Sequence, residues 1–140
     1  MNLFIDANII VAVLNKEYPL FSLASRIMSL QDDKRFSIYT SPLCLAIAFY
    51  CAGKKSGMTA ALKKISLLAS RILIVQTGAR EVRQTIGNKQ IIDFEDGLEY
   101  YSALNAGCNV IITEDTGDFH FAEIKVFNCL HFFETYLSKK

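Results

Sequence analysis

The 140-residue chain lacks the marks that would settle its class at a glance. Its four cysteines (Cys44, Cys51, Cys108, Cys129) form no CxxC pair and no Cys/His group of zinc-binding spacing. Cys44 and Cys51 stand seven apart, on one face of a helix, and read as small buried hydrophobes. His120 and His131 are isolated, and neither has a serine or cysteine nucleophile signature beside it. The longest near-continuous apolar stretch, Leu43 to Ala52, is about half of what a membrane-crossing helix needs, so it reads as buried core. No basic residue precedes Asp6, and that carboxylate interrupts the first apolar run, which excludes a secretory signal of the usual kind and points to the cytoplasm. There is no repeat, low-complexity tract or linker, so residues 1–140 are expected to form one domain.

What is present is a globular composition, 51% hydrophobic and 21% charged, enough to bury a core in a chain of this length. The net charge of +1 says little, but its distribution says more. From Lys34 to Arg80 there is no acid, against Lys34, Arg35, Lys54, Lys55, Lys63, Lys64, Arg71 and Arg80. From Gln90 to Ile124 there is no base, against Asp93, Glu95, Asp96, Glu99, Glu114, Asp115, Asp118 and Glu123. Such segregation suggests separate jobs for the two halves, for example an anion-binding face that would include Lys54, Lys55, Lys63 and Lys64, and a cation-binding site. Solvated helix faces are the plainer account of the basic half.

Periodicity places strands at Asn2–Ile5, Phe36–Thr40, Ile72–Val75, Val110–Thr113 and Lys125–Phe127. Helices are expected over Asn8–Leu14, Leu20–Leu30, Ser41–Ala52, Thr59–Ala69 and Asp93–Ala106, with a terminal helix near Phe132–Leu137. Ser41 is the expected N-cap of the third helix, with Pro42 at its first position. Gly53 and Gly57 are expected to bracket a Lys-rich turn, and Gly107 to stop the late helix. Alternating strands and helices imply a three-layer α/β/α sandwich around a central parallel sheet of four to five strands.

In such a fold functional groups collect outside the carboxyl ends of the strands. Asp6 ends the first strand, and Asp115 follows the fourth. The helix carrying Asp96 enters the fourth strand through a short turn, so it runs antiparallel to that strand and its start lies at the same rim. Asp6, Asp96 and Asp115 therefore converge from three distant parts of the chain. Carboxylates so gathered repel one another unless a cation neutralises them, and hard oxygen donors suit Mg²⁺ or Mn²⁺. A metal there favours phosphodiester hydrolysis. Asp118 is a further candidate ligand. Asp93 is a candidate N-cap with Asp96 as its capping-box partner, and Asn8 a candidate cap of the first helix that also orients Asp6.

Three segments, Leu3-Phe4-Ile5-Asp6-Ala7-Asn8, Asp93-Phe94-Glu95-Asp96-Gly97-Leu98 and Val110-Ile111-Ile112-Thr113-Glu114-Asp115-Thr116-Gly117-Asp118-Phe119, together resemble the PIN-domain family, in particular the small bacterial proteins that include VapC-type toxins. Their order and spacing fit from about Asn2 to Phe127. The resemblance implies Asp6, Asp96 and Asp115 as metal-binding and catalytic acids, with Asn8, Asp93 and Thr113 in support, and Mg²⁺ or Mn²⁺ as cofactor. It further implies ribonuclease activity on single-stranded or structured RNA, a homodimer, and a small antitoxin partner. One departure stands out: such nucleases usually carry a Glu on the helix after strand two, and that position falls near Ile47.

Two functions follow. The first is a metal-dependent endoribonuclease, the toxin of a toxin–antitoxin pair. The second, prompted by Ile47, is a non-catalytic PIN-like module that binds RNA or a protein partner through the basic segment, with Lys54, Lys55, Lys63 and Lys64 as the candidate RNA contacts. A receiver domain is disfavoured because Ile72–Val75 ends in Gln76-Thr77 and no Lys follows the late strand, and a haloacid-dehalogenase-type enzyme because Asp6-Ala7-Asn8 is not Asp-x-Asp.

Overall fold

A computed structural model describes residues 1–138. Five parallel strands, β1 (Asn2–Ile5), β2 (Ser37–Thr40), β3 (Leu73–Ile74), β4 (Val110–Ile112) and β5 (Lys125–Phe127), form one sheet in the order β3-β2-β1-β4-β5. The apolar runs of the central strands are buried on both faces, with Leu3, Phe4, Ile5, Ile111 and Ile112 wholly inside, whereas the expected Ile72–Val75 strand shortens to Leu73–Ile74 at the sheet edge, where both residues are exposed. The expected α/β/α sandwich is what forms, with five strands.

Among the described residues seven α-helices cover the sheet: α1 (Ala7–Leu14), α2 (Leu20–Met28), α3 (Pro42–Ser56), α4 (Met58–Ala69), α5 (Ala79–Gly87), α6 (Phe94–Asn105) and α7 (Cys129–Phe132), the last continuing as a π turn over Phe133–Leu137. The chain first moves outward from β1 through β2 to β3, then returns to lay β4 on the other side of β1. Right-handed crossovers in opposite directions put their helices on opposite faces of a sheet. Accordingly α1, α3 and α4 pack as one group and α5 with α6 as another.

Two helices also differ from expectation. The helix begun by Ser41, whose Oγ accepts the Cys44 N–H at 3.1 Å, runs through Gly53 and both lysines to Ser56. Gly53 lies within the helix against α4, with Met58 Cγ and Ala61 Cβ at 3.8 and 4.0 Å from where its Cβ would be. The break comes at Gly57, where φ of 86° suits glycine. Helix α5, which periodicity does not reveal, starts at Gly78, whose N–H donates to Glu81 Oε1 at 2.8 Å. Glu81 Oε2 accepts from Asn105 Nδ2 at 2.7 Å, and these contacts hold its carboxyl below the usual range.

The placement of α6 matters most for function. Its carboxyl end closes in a Schellman motif: Cys108 N–H donates to Ala103 O and Gly107 N–H to Leu104 O, both at 3.0 Å, with Gly107 at φ 82°. Asn2 ties this turn to β1 through Asn109 Oδ1 (2.7 Å) and Gly107 O (3.1 Å). At the other end Gly97 lets α6 lie against α5. A Cβ there would collide with Thr85 Cγ2 and come within 2.9 Å of Ile91 Cδ1. Thr85 is buried and β-branched, so it yields poorly. Gly97→Ala is therefore expected to cost about 1–3 kcal/mol in urea unfolding. Adding Thr85→Ser, which removes the colliding methyl but keeps the hydroxyl bond to Glu81 O (2.8 Å), should restore most of that loss. An unchanged midpoint in the single variant would contradict this packing.

Candidate metal centre

Strand order reverses between β1 and β4, and a crevice opens outside their carboxyl ends, where ligands collect in open parallel sheets. Asp6 sits at its floor. Its N–H donates to Ile112 O at 3.0 Å, so sheet pairing itself fixes the residue. The side chain is 7% exposed and caps α1, Oδ1 accepting the Ala7 N–H at 2.6 Å. Oδ2 accepts the Thr113 hydroxyl at 2.7 Å and Asn8 Nδ2 at 3.4 Å. The N-cap is thus Asp6, and Asn8, expected in that role, lies inside the helix.

Asn8 instead links the acids. Its Nδ2 donates to Asp115 Oδ2 (3.1 Å) and Thr113 Oγ1 (3.0 Å), and its Oδ1 accepts the Glu114 N–H (3.2 Å). Thr113 Oγ1 donates to Asp6 while accepting from Asn8 and from the Asp115 N–H (3.1 Å), which uses the hydroxyl fully. Asp115 and Asp118 lie on an exposed 3₁₀ turn over Thr116–Phe119, with the Asp118 N–H on Asp115 O at 3.0 Å. Glu114 turns away to accept the Cys129 N–H at 2.9 Å.

Helix α6 supplies the third wall. Asp93 is its N-cap, but its carboxylate accepts the Glu95 N–H at 3.0 Å, and the expected capping box with Asp96 is not formed. Asp96 projects into the cleft with its pKa pushed up to about 7, first by burial and then by the negative charges of Asp93, Asp118, Asp6 and Glu95. Glu99, one turn further on, is the residue that sequence reasoning missed. It is 2% exposed, lies against Asp6 and Cys44, and its pKa is pushed up to about 11 by burial and by the neighbouring Asp6. The signal was its spacing: Asp96 and Glu99 at i and i+3 share one helix face.

The cleft has a volume of about 320 Å³ and brings Asp6, Asn8, Asp93, Asp96, Asp115 and Asp118 together, with Glu95, Glu99 and Ile47 also on its walls. Larger hollows of about 790 and 520 Å³ elsewhere hold no comparable group of acids. The lysines go elsewhere. Lys55 Nζ donates to Asn15 O (2.6 Å) and Lys64 Nζ to Leu14 O (3.1 Å), at the end of α1 opposite Asp6, where a cation suits the helix dipole. Lys54 lies over the Tyr50 ring, and Lys63 is exposed on α4. The four therefore do not form one free basic patch.

Among the described residues the ion pairs are Arg35–Asp33 and Arg71–Asp32, so no Lys or Arg neutralises the cleft. Glu99 Oε1 is buried without a hydrogen-bond partner. Ligand atoms of Asp6, Cys44 and Glu99 lie within 4.8 Å of one another, as do those of Glu95, Asp96 and Glu99. This mostly carboxylate donor set fits a hard divalent cation. Cys44 adds only a thiol, since burial raises its pKa well above the ordinary value.

Raised carboxyl pKa values make the metal-free fold weaker as pH rises. The protonated form is favoured only in the folded protein, so this contribution is complete below the unfolded values near 4 and is lost as each group ionises. For Asp96 the window closes at about pH 7, and for Glu99 it extends to about 11. Unfolding in EDTA is expected to show stability falling from pH 5 to pH 8. Asp96→Asn should flatten the part of that fall below about pH 7, and a rise over the interval would contradict the assignment.

Comparisons with known proteins bear on the family and the fold. The profile of the PIN domain matches residues 2–117. Over 135 residues the chain is 26% identical to Ribonuclease VapC1 of Aquifex aeolicus, covering 94% of this chain and 92% of that protein. Among solved structures, VapBC2 from Rickettsia felis, bound to a DNA fragment from its promoter, superposes with a TM-score of 0.70 at 19% identity, covering 91% of this chain and 98% of that one. VapC20 of Mycobacterium tuberculosis, a toxin that cleaves the sarcin–ricin loop, gives 0.68 at 19% identity, with coverage of 87% and 95%. VapBC-1 of Haemophilus influenzae gives 0.70 at 20% identity, with coverage of 93% and 99%. With the family profile spanning most of its length, and its acids at the β1/β4 switch, the chain belongs to the PIN-domain family.

Proposed function

We propose that the protein is a divalent-metal-dependent endoribonuclease, the toxin of a toxin–antitoxin pair, using Mg²⁺ or Mn²⁺. The observation that carries this reading is the meeting of Asp6, Asp96, Asp115 and Asp118 in one cleft where, among the described residues, no Lys or Arg pairs with them. The similarity to Ribonuclease VapC1 supports the substrate class. A bound divalent ion would supply charge neutralisation at a phosphoryl oxygen and a more acidic water. Asp6 and Asp96 would hold it from the floor and wall, with Asp115 and Asp118 at the open mouth.

The remaining work falls to this chain's own residues. Thr113 and Asn8 lock Asp6 and Asp115 into one orientation, so little reorganisation is needed when a ligand arrives. Asp93 keeps its carboxylate on the α6 backbone and thereby holds the helix start, and Asp96, at the rim. The exposed turn bearing Asp115 and Asp118 leaves one side of the cleft open to an extended RNA strand. A small antitoxin protein would restrain the enzyme, which would act in the cytoplasm as a homodimer. No helix among the described residues is long and apolar enough to cross a membrane.

A second reading rests on Ile47, a hydrocarbon on the cleft wall where the family usually has a carboxylate: a module that binds RNA or protein without cutting. One assay separates the two. Incubated with single-stranded RNA and Mn²⁺, the protein should cut internally. EDTA or Asp6→Asn should abolish cutting, and Asn8→Ala or Thr113→Val should slow it by about 10- to 100-fold. Cleavage that survives both EDTA and Asp6→Asn would sink the nuclease reading. RNA binding that persists in Asp6→Asn, with no cutting by the parent protein, would favour the module.

A further inference from the structure

On the α3 wall of the cleft, Ile47 offers no donor, and neighbouring Cys44 offers only a buried thiol. Opposite them, α6 turns two acids inward: Asp96 and, one turn deeper, Glu99. Glu99 is 2% exposed, yet its Oε1 has no hydrogen-bond partner. Its carboxylate approaches within 4.8 Å of ligand atoms of Asp6 and Cys44 on one side and of Glu95 and Asp96 on the other. A structural Glu at this depth would be expected to end on a backbone N–H or a basic group, as Glu81 does on Gly78 and Asn105. The other acids are less suited to such a place. Asp93 is exposed and already accepts the Glu95 N–H, while Asp118 is exposed on its turn.

We propose that Glu99 is the inner fourth acid of the metal site, a carboxylate supplied by α6 opposite an α3 wall that presents Ile47 and the thiols of Cys44 and Cys51 but no acid. The proposal rests on the metal-dependent reading of the cleft. One helix face then contributes two ligands through the i, i+3 spacing of Asp96 and Glu99, and Asp6 stands between them and the sheet. The absence of an acid on α3 shifts the source of the donor without emptying the site.

The test is Mn²⁺ binding by the full chain, followed by calorimetry and by the electron paramagnetic resonance of free Mn²⁺, for wild type and Glu99→Gln. Metal-free melting temperature and RNA cleavage are recorded alongside. Gln keeps the size and loses only the charge. The expected result is Mn²⁺ affinity reduced about tenfold or more, with a metal-free melting temperature equal to or above that of wild type. Wild-type binding with unchanged binding in Glu99→Gln overturns this assignment and leaves the nuclease reading standing. No Mn²⁺ binding by wild type overturns both. A variant whose metal-free melting temperature falls along with its binding marks Glu99 as a packing residue, and that also overturns the proposal.

Discussion

Parallel strands β1 and β4 are joined at their carboxyl ends by the Asp6 N–H on Ile112 O, and at that point a carboxylate enters a region otherwise filled by aliphatic side chains. Much of the molecule is arranged around satisfying it. Three nitrogen and oxygen donors, the Ala7 N–H, the Thr113 hydroxyl and the Asn8 amide, converge on its two oxygens, and the Cys44 thiol donates to Oδ1 at 3.9 Å. Burying an ionised carboxylate without such bonds would cost several kcal/mol, on the order of a domain's whole stability. Because the nitrogen and oxygen donors come from α1 and from the segment after β4, the same bonds that satisfy Asp6 also bring Asp115 within reach of Asn8. Stability of the floor and assembly of the site are one network.

That network leaves part of the cleft uncompensated. Helix α6 is held at its carboxyl end by the Schellman turn and Asn2, and along its side by Glu81–Asn105 and the close approach at Gly97. None of these contacts neutralises Asp96 or Glu99, whose pKa values rise as a result. The fold therefore holds like charges together through contacts made elsewhere, which is the pattern of a binding site whose strain is relieved by its ligand.

Sequence patterns made the floor and the rim legible for particular reasons. Asn2–Ile5 and Val110–Ile112 are apolar runs too short for helices, and Gly107 marks the stop of α6, so the convergence of Asp6, Asp96 and Asp115 follows from connectivity alone. Local competition was harder to read. Asn8 and Asp6 are both good N-caps, and only the pairing of Asp6 with Ile112 decides which residue stands outside the helix. Gly53 looks like a turn residue until α4 is seen crossing there. Helix α5 is amphipathic but poor in apolar residues, and the side it buries carries Glu81 and Thr85, so a search for an apolar stripe passes over it.

Glu99 escaped notice for a related reason. Read along the chain, it is one acid among the eight between Gln90 and Ile124, and a helix of this composition would ordinarily turn such residues to solvent. The opposite charge bias of the preceding half encouraged a search for an anion-binding face among its lysines. Yet Lys55 and Lys64 close the carboxyl end of α1, the helix that Asp6 begins. The basic and acidic halves are thus linked through α1: lysines stabilise its negative end, while its first turn carries Asp6 and Asn8 into the cleft. The residue of greatest chemical interest is the acid that lies inside, where its Oε1 has no hydrogen-bond partner among the described residues.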